Sequence, residues 1–383
     1  MKHRSVSVCV IGGGIIGSWA ALHLAEAGVD ALLLEQFPLP HTRGSSQGAS
    51  RAFRYFGEET MDRLDYSMER WRALEHACGE PLFLRTGLVN FGPPGDPWLE
   101  RHLAIARAAG KDCEWLDAAA IRQRFPAMHY PEDWGAAWDP EGGILLAQRC
   151  LAATQDRFRA IGGAVLQACA SAIDAAADGA VTVSLREDAG QAEIAIKCEQ
   201  LVVCAGPWTG RLLPTLRPAL KTLAIPVTYW RDASGECDAA RGFPIIYNAR
   251  LTGIYALPAC EYPGLVKVLY HGGPEAEPET RDVPDRAPWE RRVGAYVREH
   301  LPALDGHQPA IREACMYTMT PDNDPVIDRL SERVTVGCGF SGSGFKHSPA
   351  TGHMLAALAL GREAELPAGF QRARYAARRL AVA

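Results

Sequence analysis

Gly12, Gly14 and Gly17 follow an apolar run, VSVCVI, and precede a helical stretch, SWAALHLAEAG. A second apolar run, ALLLE, closes on an acid, Glu35, about 20 residues further on. Each residue type has a task. Gly12 permits a tight turn, Gly14 lets the backbone approach a pyrophosphate, and Gly17 lets helix and strand pack closely. The helix start offers unpaired N–H groups and positive partial charge to phosphates. Glu35 can accept hydrogen bonds from a pair of ribose hydroxyls. Isolated glycines would equally suit a bare turn, but strand, turn, helix, strand and acid in this order specify dinucleotide binding. NAD and FAD both remain open, and Glu35 disfavours the 2′-phosphate of NADP.

Other residues could meet an anion. The loop RGSSQGASRAFR contains Ser45, Ser46, Ser50, Arg51 and Arg54, and could cradle phosphates or an acidic ligand, or be a solvated turn. Late in the chain, GFSGSGFKHSPATG carries Gly342, Gly344, Phe345 and Lys346. It is a glycine loop feeding a helix, so it supplies a second helix N-terminus suited to negative charge. Lys267 sits inside the apolar run LVKVLY, where it must face solvent or have a function, because an unpaired buried ammonium is costly. Of eleven cysteines, most stand in apolar runs. Cys204 in LVVCAGPW reads as core, and composition alone says the same of Cys315 in ACMYTMTPDNDPVID.

The elements that must position these residues alternate along the chain. A chain of 383 residues exceeds one ordinary core, so two domains are expected. Helices are expected over 61–77, 103–109, 118–125 and 147–161, and a strand over 84–92 that enters a second lobe. The stretch from Gly163 to Asp188 alternates like a β-meander with a polar turn. Short strands over 223–230, 244–247, 253–257 and 265–270, separated by Gly and Pro, suggest an antiparallel sheet. The fold class is α/β: a Rossmann-like dinucleotide domain with a second α+β substrate domain on an antiparallel sheet. The boundaries are 1–85, 146–220 and 323–383 for the first, and 86–145 and 221–322 for the second.

With 48% hydrophobic and 22% charged residues the chain is ordinary for a globular enzyme. Its net charge of −5 argues against general nucleic-acid binding. No apolar run is long enough to span a bilayer, and the N-terminus runs into the glycine motif without a cleavage site. A cytoplasmic protein with reduced thiols is expected. No CxxC pair or compact Cys/His cluster suggests a metal.

The motifs GGGIIG, GSSQGASRAFR, TGLVNFG, DPEGGIL, VVCAGPW, GIYALP, LVKVLYHGG, ACMYTMTPDNDPVID and GFSGSGFKHSPATG together carry a family likeness nearly end to end. The chain resembles the monomeric sarcosine oxidase and N-methyltryptophan oxidase group, within the wider D-amino-acid-oxidase-like FAD oxidoreductases. The resemblance implies FAD, held by a thioether from Cys315 to the flavin 8α-methyl carbon. It implies oxidation of the C–N bond of a small secondary amino acid, with O2 taking the electrons to give H2O2 and an imine. Arg51 matches an arginine implicated in the covalent link. Arg54 and Lys346 match a pair that binds the substrate carboxylate, a ligand suited to a planar Arg fork beside a compact Lys charge. Tyr255, Tyr317 and His271 match residues around the substrate, and Lys267 the lysine where O2 is activated. Gln47 and Ala49 depart from the family, as do a missing residue after Arg54 and an added one before Lys267. These bear on the choice of substrate more than on the chemistry.

The same motifs serve an oxidase of a cyclic imino acid such as pipecolate, proline or a piperideine carboxylate. A dehydrogenase passing electrons to a carrier and a non-catalytic flavin subunit are further readings. Lys267 speaks against the former, and the joint presence of Arg54, Lys346, His271 and Lys267 against the latter. The expected partners are a small amino acid and O2, acting on a monomer.

Overall fold

The computed structural model describes residues 2–58, 60–175, 179–186 and 194–365. Among these, the strands form two eight-stranded sheets and one of three strands.

The N-terminal strand Lys2–Ile11 lies parallel to Ala31–Glu35 on one side and to Ile194–Val203 on the other. Ala164–Gln167 and Val334–Cys338 extend the parallel set at its two edges. These runs are β-branched or leucine-rich because helices cover the sheet, and all five residues of Ala31–Glu35 and of Val334–Cys338 are buried. The helices Ile15–Glu26, Ala147–Ala160 and Ser348–Leu360 pack together against it. Gly352 brings two of them close, since a Cβ there would lie 2.6 Å from Trp19.

The strand Ile194–Val203 divides its labour. Its first half pairs antiparallel with Val181–Leu185, and its second half pairs parallel with Val334–Cys338. The expected meander is therefore only partly formed. Ala170–Asp174 and Val181–Leu185 pair antiparallel, but Ala164–Gln167 joins the parallel strands. The expected turn at 176–178 lies outside the described residues, as does the end of the run at 187–188.

The second large sheet runs Ile311–Met319, Lys221–Arg231, Leu265–Tyr270, Ile254–Tyr262, Ile245–Asn248, Leu88–Gly92, Gly135–Asp139, Glu114–Leu116. Its pairings are antiparallel except that of Ile245–Asn248 with Leu88–Gly92. The expected single strand over 84–92 is two strands. Phe83–Leu84 belongs to the three-stranded sheet with Ser50–Phe53 and Gly143–Leu146, and Leu88–Gly92 to the large one. The break falls at Gly87, whose φ of +73° and missing Cβ admit the Trp138 ring, which a Cβ would approach to 1.9 Å. The expected helices are found at Met61–Cys78, Pro97–Ala108, Ala118–Arg124 and Ala147–Ala160.

At the glycine turn, Gly12 has φ +105° and its Cβ would lie 2.3 Å from the Cys204 carbonyl. A Cβ on Gly17 would lie 2.0 Å from the Gly12 carbonyl. Gly17→Ala is therefore expected to push the helix from the strand, cost about 1–3 kcal/mol of stability, and loosen the bound dinucleotide. Thermal unfolding and the ratio of cofactor to protein after gel filtration check both.

Candidate active site

Two adjoining cavities lie between the sheets. The larger, of about 280 Å³, is lined by Gly12, Gly14, Glu35, Ser45, Ser46, Arg51, Gly342, Gly344 and Phe345. The smaller, of about 130 Å³, is lined by Ser50, Arg51, Arg54, Tyr255, Lys267, His271, Cys315, Tyr317, Gly342, Phe345 and Lys346. Gly17 borders neither, and serves the helix–strand contact. Ser50, Cys315 and Lys346, grouped by sequence with the cofactor residues, border the smaller cavity.

In the larger cavity Ser46 Oγ accepts the Ile15 N–H at 2.9 Å, at the start of the first helix. The Glu35 carboxylate accepts the N–H groups of Gly13 (2.7 Å) and Phe37 (2.9 Å), so it braces the glycine turn as well as bordering the cavity. Burial opposes its ionisation, but His41 and these N–H groups outweigh that and hold it below the usual carboxylate range. Ser45 Oγ is buried with no protein partner among the described residues. An orphaned hydroxyl, an open glycine turn and a helix N-terminus in one elongated cavity fit a dinucleotide.

The smaller cavity is a consequence of sheet register. Side chains two apart share a face. Tyr229 pairs with Lys267, Leu257 with Lys267, Tyr255 with Leu269, Ile225 with Cys315, and Leu223 with Tyr317. Glu313, Cys315 and Tyr317 thus share a face with Lys267 and Tyr255, turned towards the loop of Ser45, Gln47 and Ser50. Val266 and Val268 face the other way, into a separate apolar core.

Cations are concentrated here. Arg51 donates to the carbonyls of Ser50 (2.7 Å), Ser45 (2.9 Å) and Gln47, and its guanidinium stands 3.6 Å from Cys315 Sγ. Gln47 donates to the Ala314 carbonyl, next to that cysteine. Arg54, 9% exposed, donates to the Phe56 carbonyl at 2.6 Å and lies over the Tyr247 ring. Lys346 is 5% exposed and Lys267 5%. Lys267 is therefore an inward lysine, and the solvent-facing reading of its strand is excluded.

Sequence reasoning missed the acids that accompany these cations. Glu58 Oε1 lies 2.7 Å from Arg54 and 3.3 Å from Lys346, and its Oε2 3.3 Å from His347. Burial opposes its ionisation, yet Arg54, Lys346 and His347 hold it well below the usual range. The signal was an acid four residues after an arginine, unreadable without knowing that Lys346 comes alongside. Glu261 Oε1 lies 3.0 Å from Lys267 Nζ. Asp139, in DPEGGIL, is fully buried and accepts N–H groups of Tyr55 (2.7 Å), Phe56 (3.1 Å), Glu141 (3.1 Å) and Gly142 (3.0 Å), fixing the segment between Arg54 and Glu58.

The neutral groups are held neutral. Burial, then Arg54 and Lys346, lower His271 to about 4. Burial raises Tyr255 to about 12 against Tyr317 and Arg51, and its hydroxyl is 2.9 Å from that of Tyr317. Burial and Tyr255 raise Tyr317 well above the ordinary value. Near neutral pH the cavity presents an uncharged imidazole and two phenols beside its cations.

A family model for FAD dependent oxidoreductases (DAO) matches residues 7–358. The chain belongs to that family. The protein is accordingly an FAD-dependent oxidoreductase. The chain is 38% identical to the peroxisomal sarcosine oxidase of Mus musculus, over 92% of this chain and 91% of that one. It is 29% identical to the monomeric sarcosine oxidase of an Arthrobacter species, over 93% of each. A solved structure of NikD, described as an unusual amino acid oxidase essential for nikkomycin biosynthesis, superposes with a TM-score of 0.77 at 23% identity, covering 98% of this chain and 97% of that one. The family likeness read from the motifs holds, and so does the fold class.

Glu58→Gln removes a buried charge shared by two cations. It is expected to cost about 3–5 kcal/mol, and to make a small carboxylate ligand such as acetate raise the melting temperature more than in wild type. Glu58's folded value is depressed, so its stabilisation is present above the ordinary carboxylate value and lost as pH falls towards the lowered one. The variant's stability should accordingly fall less steeply on acidification below pH ~4. Thermal melts against pH, with and without acetate, check all three.

Proposed function

We propose that this enzyme oxidises the C–N bond of a small secondary amino acid, sarcosine or another N-methyl amino acid, with O2 as electron acceptor, yielding an imine and H2O2. The observation that carries the reading is that Arg54 and Lys346, which line the smaller cavity, meet on one buried carboxylate, that of Glu58. A site that holds one carboxylate between a guanidinium and an ammonium has the chemistry to hold an amino acid's. The sarcosine oxidase relatives support the N-methyl class.

When bound, FAD supplies the two-electron acceptor. The protein's residues do the rest. Arg54 and Lys346 take the substrate carboxylate and orient the C–N bond. His271, neutral, accepts or donates a hydrogen bond at the amine without adding a competing positive charge. Tyr255 and Tyr317, protonated and bonded to one another, close the side of the cavity. Lys267 places a positive charge on the cavity wall, where it stabilises negative charge developing on oxygen.

Attachment of the flavin through Cys315 is the finer part of the proposal. Its support is the sulfur's place on the cavity wall, with the Arg51 guanidinium 3.6 Å away. The two-domain division read from the sequence is retained, and its support is the separation of the parallel and antiparallel sheets; 366–383 lie outside the described residues. Among the described residues no helix is long and apolar enough to cross a membrane. A monomer is favoured by the Arthrobacter relative's description as monomeric. A cytoplasmic location is kept from the sequence reading, although the mouse relative is by its name peroxisomal.

H2O2 release over sarcosine, other N-methyl amino acids, L- and D-pipecolate, proline and primary amino acids tests the reaction. Sarcosine or an N-methyl amino acid should be turned over, and activity confined to primary amino acids would overturn the reading. Acid-precipitated wild-type protein should stay yellow, whereas Cys315→Ser should release its colour to the supernatant. Lys267→Met should slow reoxidation by O2 about 10²–10³-fold while substrate still bleaches the flavin, as read by stopped-flow absorbance.

A further inference from the structure

Beside Lys267 a line of polar side chains runs along the same face of the sheet, away from the substrate cavity. Lys267 Nζ lies 3.0 Å from Glu261 Oε1, which also receives the Ser50 hydroxyl. Glu261 Oε2 is 2.7 Å from the Tyr229 hydroxyl. That same hydroxyl is 3.1 Å from Glu313 Oε2. Glu313 Oε1 is in turn 2.6 Å from the hydroxyl of Tyr262, which is half-buried and closes the line towards solvent. The line begins deep, with the Glu261 side chain 4% exposed and Tyr229 fully buried.

The proton count of this line is informative. A tyrosine hydroxyl has one proton and can donate it once. Tyr229 stands within hydrogen-bonding distance of two carboxylates, so both contacts are satisfied only when one carboxyl carries a proton of its own and donates it to Tyr229. Charge leads to the same conclusion. The cation touching this group is Lys267, while Arg51 is engaged with carbonyls and Cys315, and Arg312 is turned to Glu290 at 2.9 Å. Two ionised carboxylates converging on one hydroxyl would also repel each other, which disfavours the second charge. The hydrogen bond to Glu313, before burial, raises Tyr262 to about 12, which keeps the outer end a donor.

We infer that Glu261 and Glu313 share one proton across Tyr229, and that this group relays protons between Lys267 and solvent through Tyr262. The inference rests on the proposed oxidase reaction for its use, but not for its existence. The reaction balances as CH3–NH2⁺–CH2–COO⁻ + O2 → CH2=NH⁺–CH2–COO⁻ + H2O2. The amine gives up one proton and a hydride equivalent, and oxygen ends with both. The proton leaves the amine before oxygen needs one, so a store beside the cavity serves both halves. Lys267 hands a proton to the cavity and regains one from Glu261. Glu261 is refilled through Tyr229 from Glu313, and Glu313 through Tyr262 from water. Glu261, Tyr229, Glu313 and Tyr262 are positioning and relay residues, since none of them borders the substrate cavity.

The test has two readouts. Infrared difference spectra of the resting holoenzyme in H2O and D2O, at neutral pH, should show a protonated-carboxyl stretch that is lost in Glu313→Gln and in Glu261→Gln. No such band in wild type, or a band unchanged in both variants, overturns the shared proton. The second readout is anaerobic mixing with sarcosine in weak buffer containing phenol red. Wild type should release its proton together with flavin bleaching. Tyr262→Phe, a half-buried change compatible with folding, and Tyr229→Phe should keep the bleaching rate within about twofold but delay proton release about tenfold. Coincident proton release and bleaching in both variants overturns the relay. Should neither sarcosine nor any other N-methyl amino acid bleach the flavin, the oxidase reading fails, and the infrared bands still decide the shared proton.

Discussion

Four cations line one small cavity, Arg54, Lys267 and Lys346 buried and Arg51 half-buried, and the design of the surrounding structure follows from their desolvation. Each ion taken from water costs several kcal/mol unless it is paired and hydrogen-bonded. Arg51 is met by three backbone carbonyls, Arg54 by Glu58 and the Phe56 carbonyl, Lys346 by Glu58 and the Ser343 carbonyl, and Lys267 by Glu261 and Ser50. The loops carrying these acceptors are in turn tied down. Asp139 binds four N–H groups to hold the segment leading to Glu58, and Gln47 ties the Arg51 loop to the strand of Cys315.

The same crowding of positive charge has a chemical use. Burial, aided by Arg54 and Lys346, keeps His271 neutral, and in the proposed reaction the same positive charge suits an anionic substrate and the oxygen that takes up electrons. Glu58 holds Arg54 and Lys346 together from outside the cavity lining. Glu261 likewise stabilises the Lys267 ammonium from outside that lining.

The two sheets divide the work by their geometry. The parallel sheet ends at a glycine turn and helix N-termini, which offer backbone N–H groups to phosphates. The antiparallel sheet presents side chains at period two, so a single face can display a sulfur, two phenols, an ammonium and two acids in fixed register. Chemistry that needs backbone is at the first, and chemistry that needs side chains is at the second.

How much of this was legible follows from the range of the interactions. The dinucleotide turn, its glycines and Glu35 were readable because strand, turn and helix are contiguous and each residue's task is local. Most element positions were readable from periodicity, with the 84–92 run misread because the break at Gly87 is set by Trp138, which arrives from 51 residues away in sequence. The motifs carried the family and the identity of the candidate site residues. The acids that make the site stable were not readable. Glu58, Glu261 and Glu313 look like ordinary surface carboxylates in the sequence, and only packing makes counter-ions of Glu58 and Glu261 and sets Glu313 against two phenols. Local propensities and spacing determine which elements form and where a phosphate can sit. The tertiary structure alone decides which buried charges face one another, because Coulomb and desolvation energies depend on distances between residues that the chain places far apart.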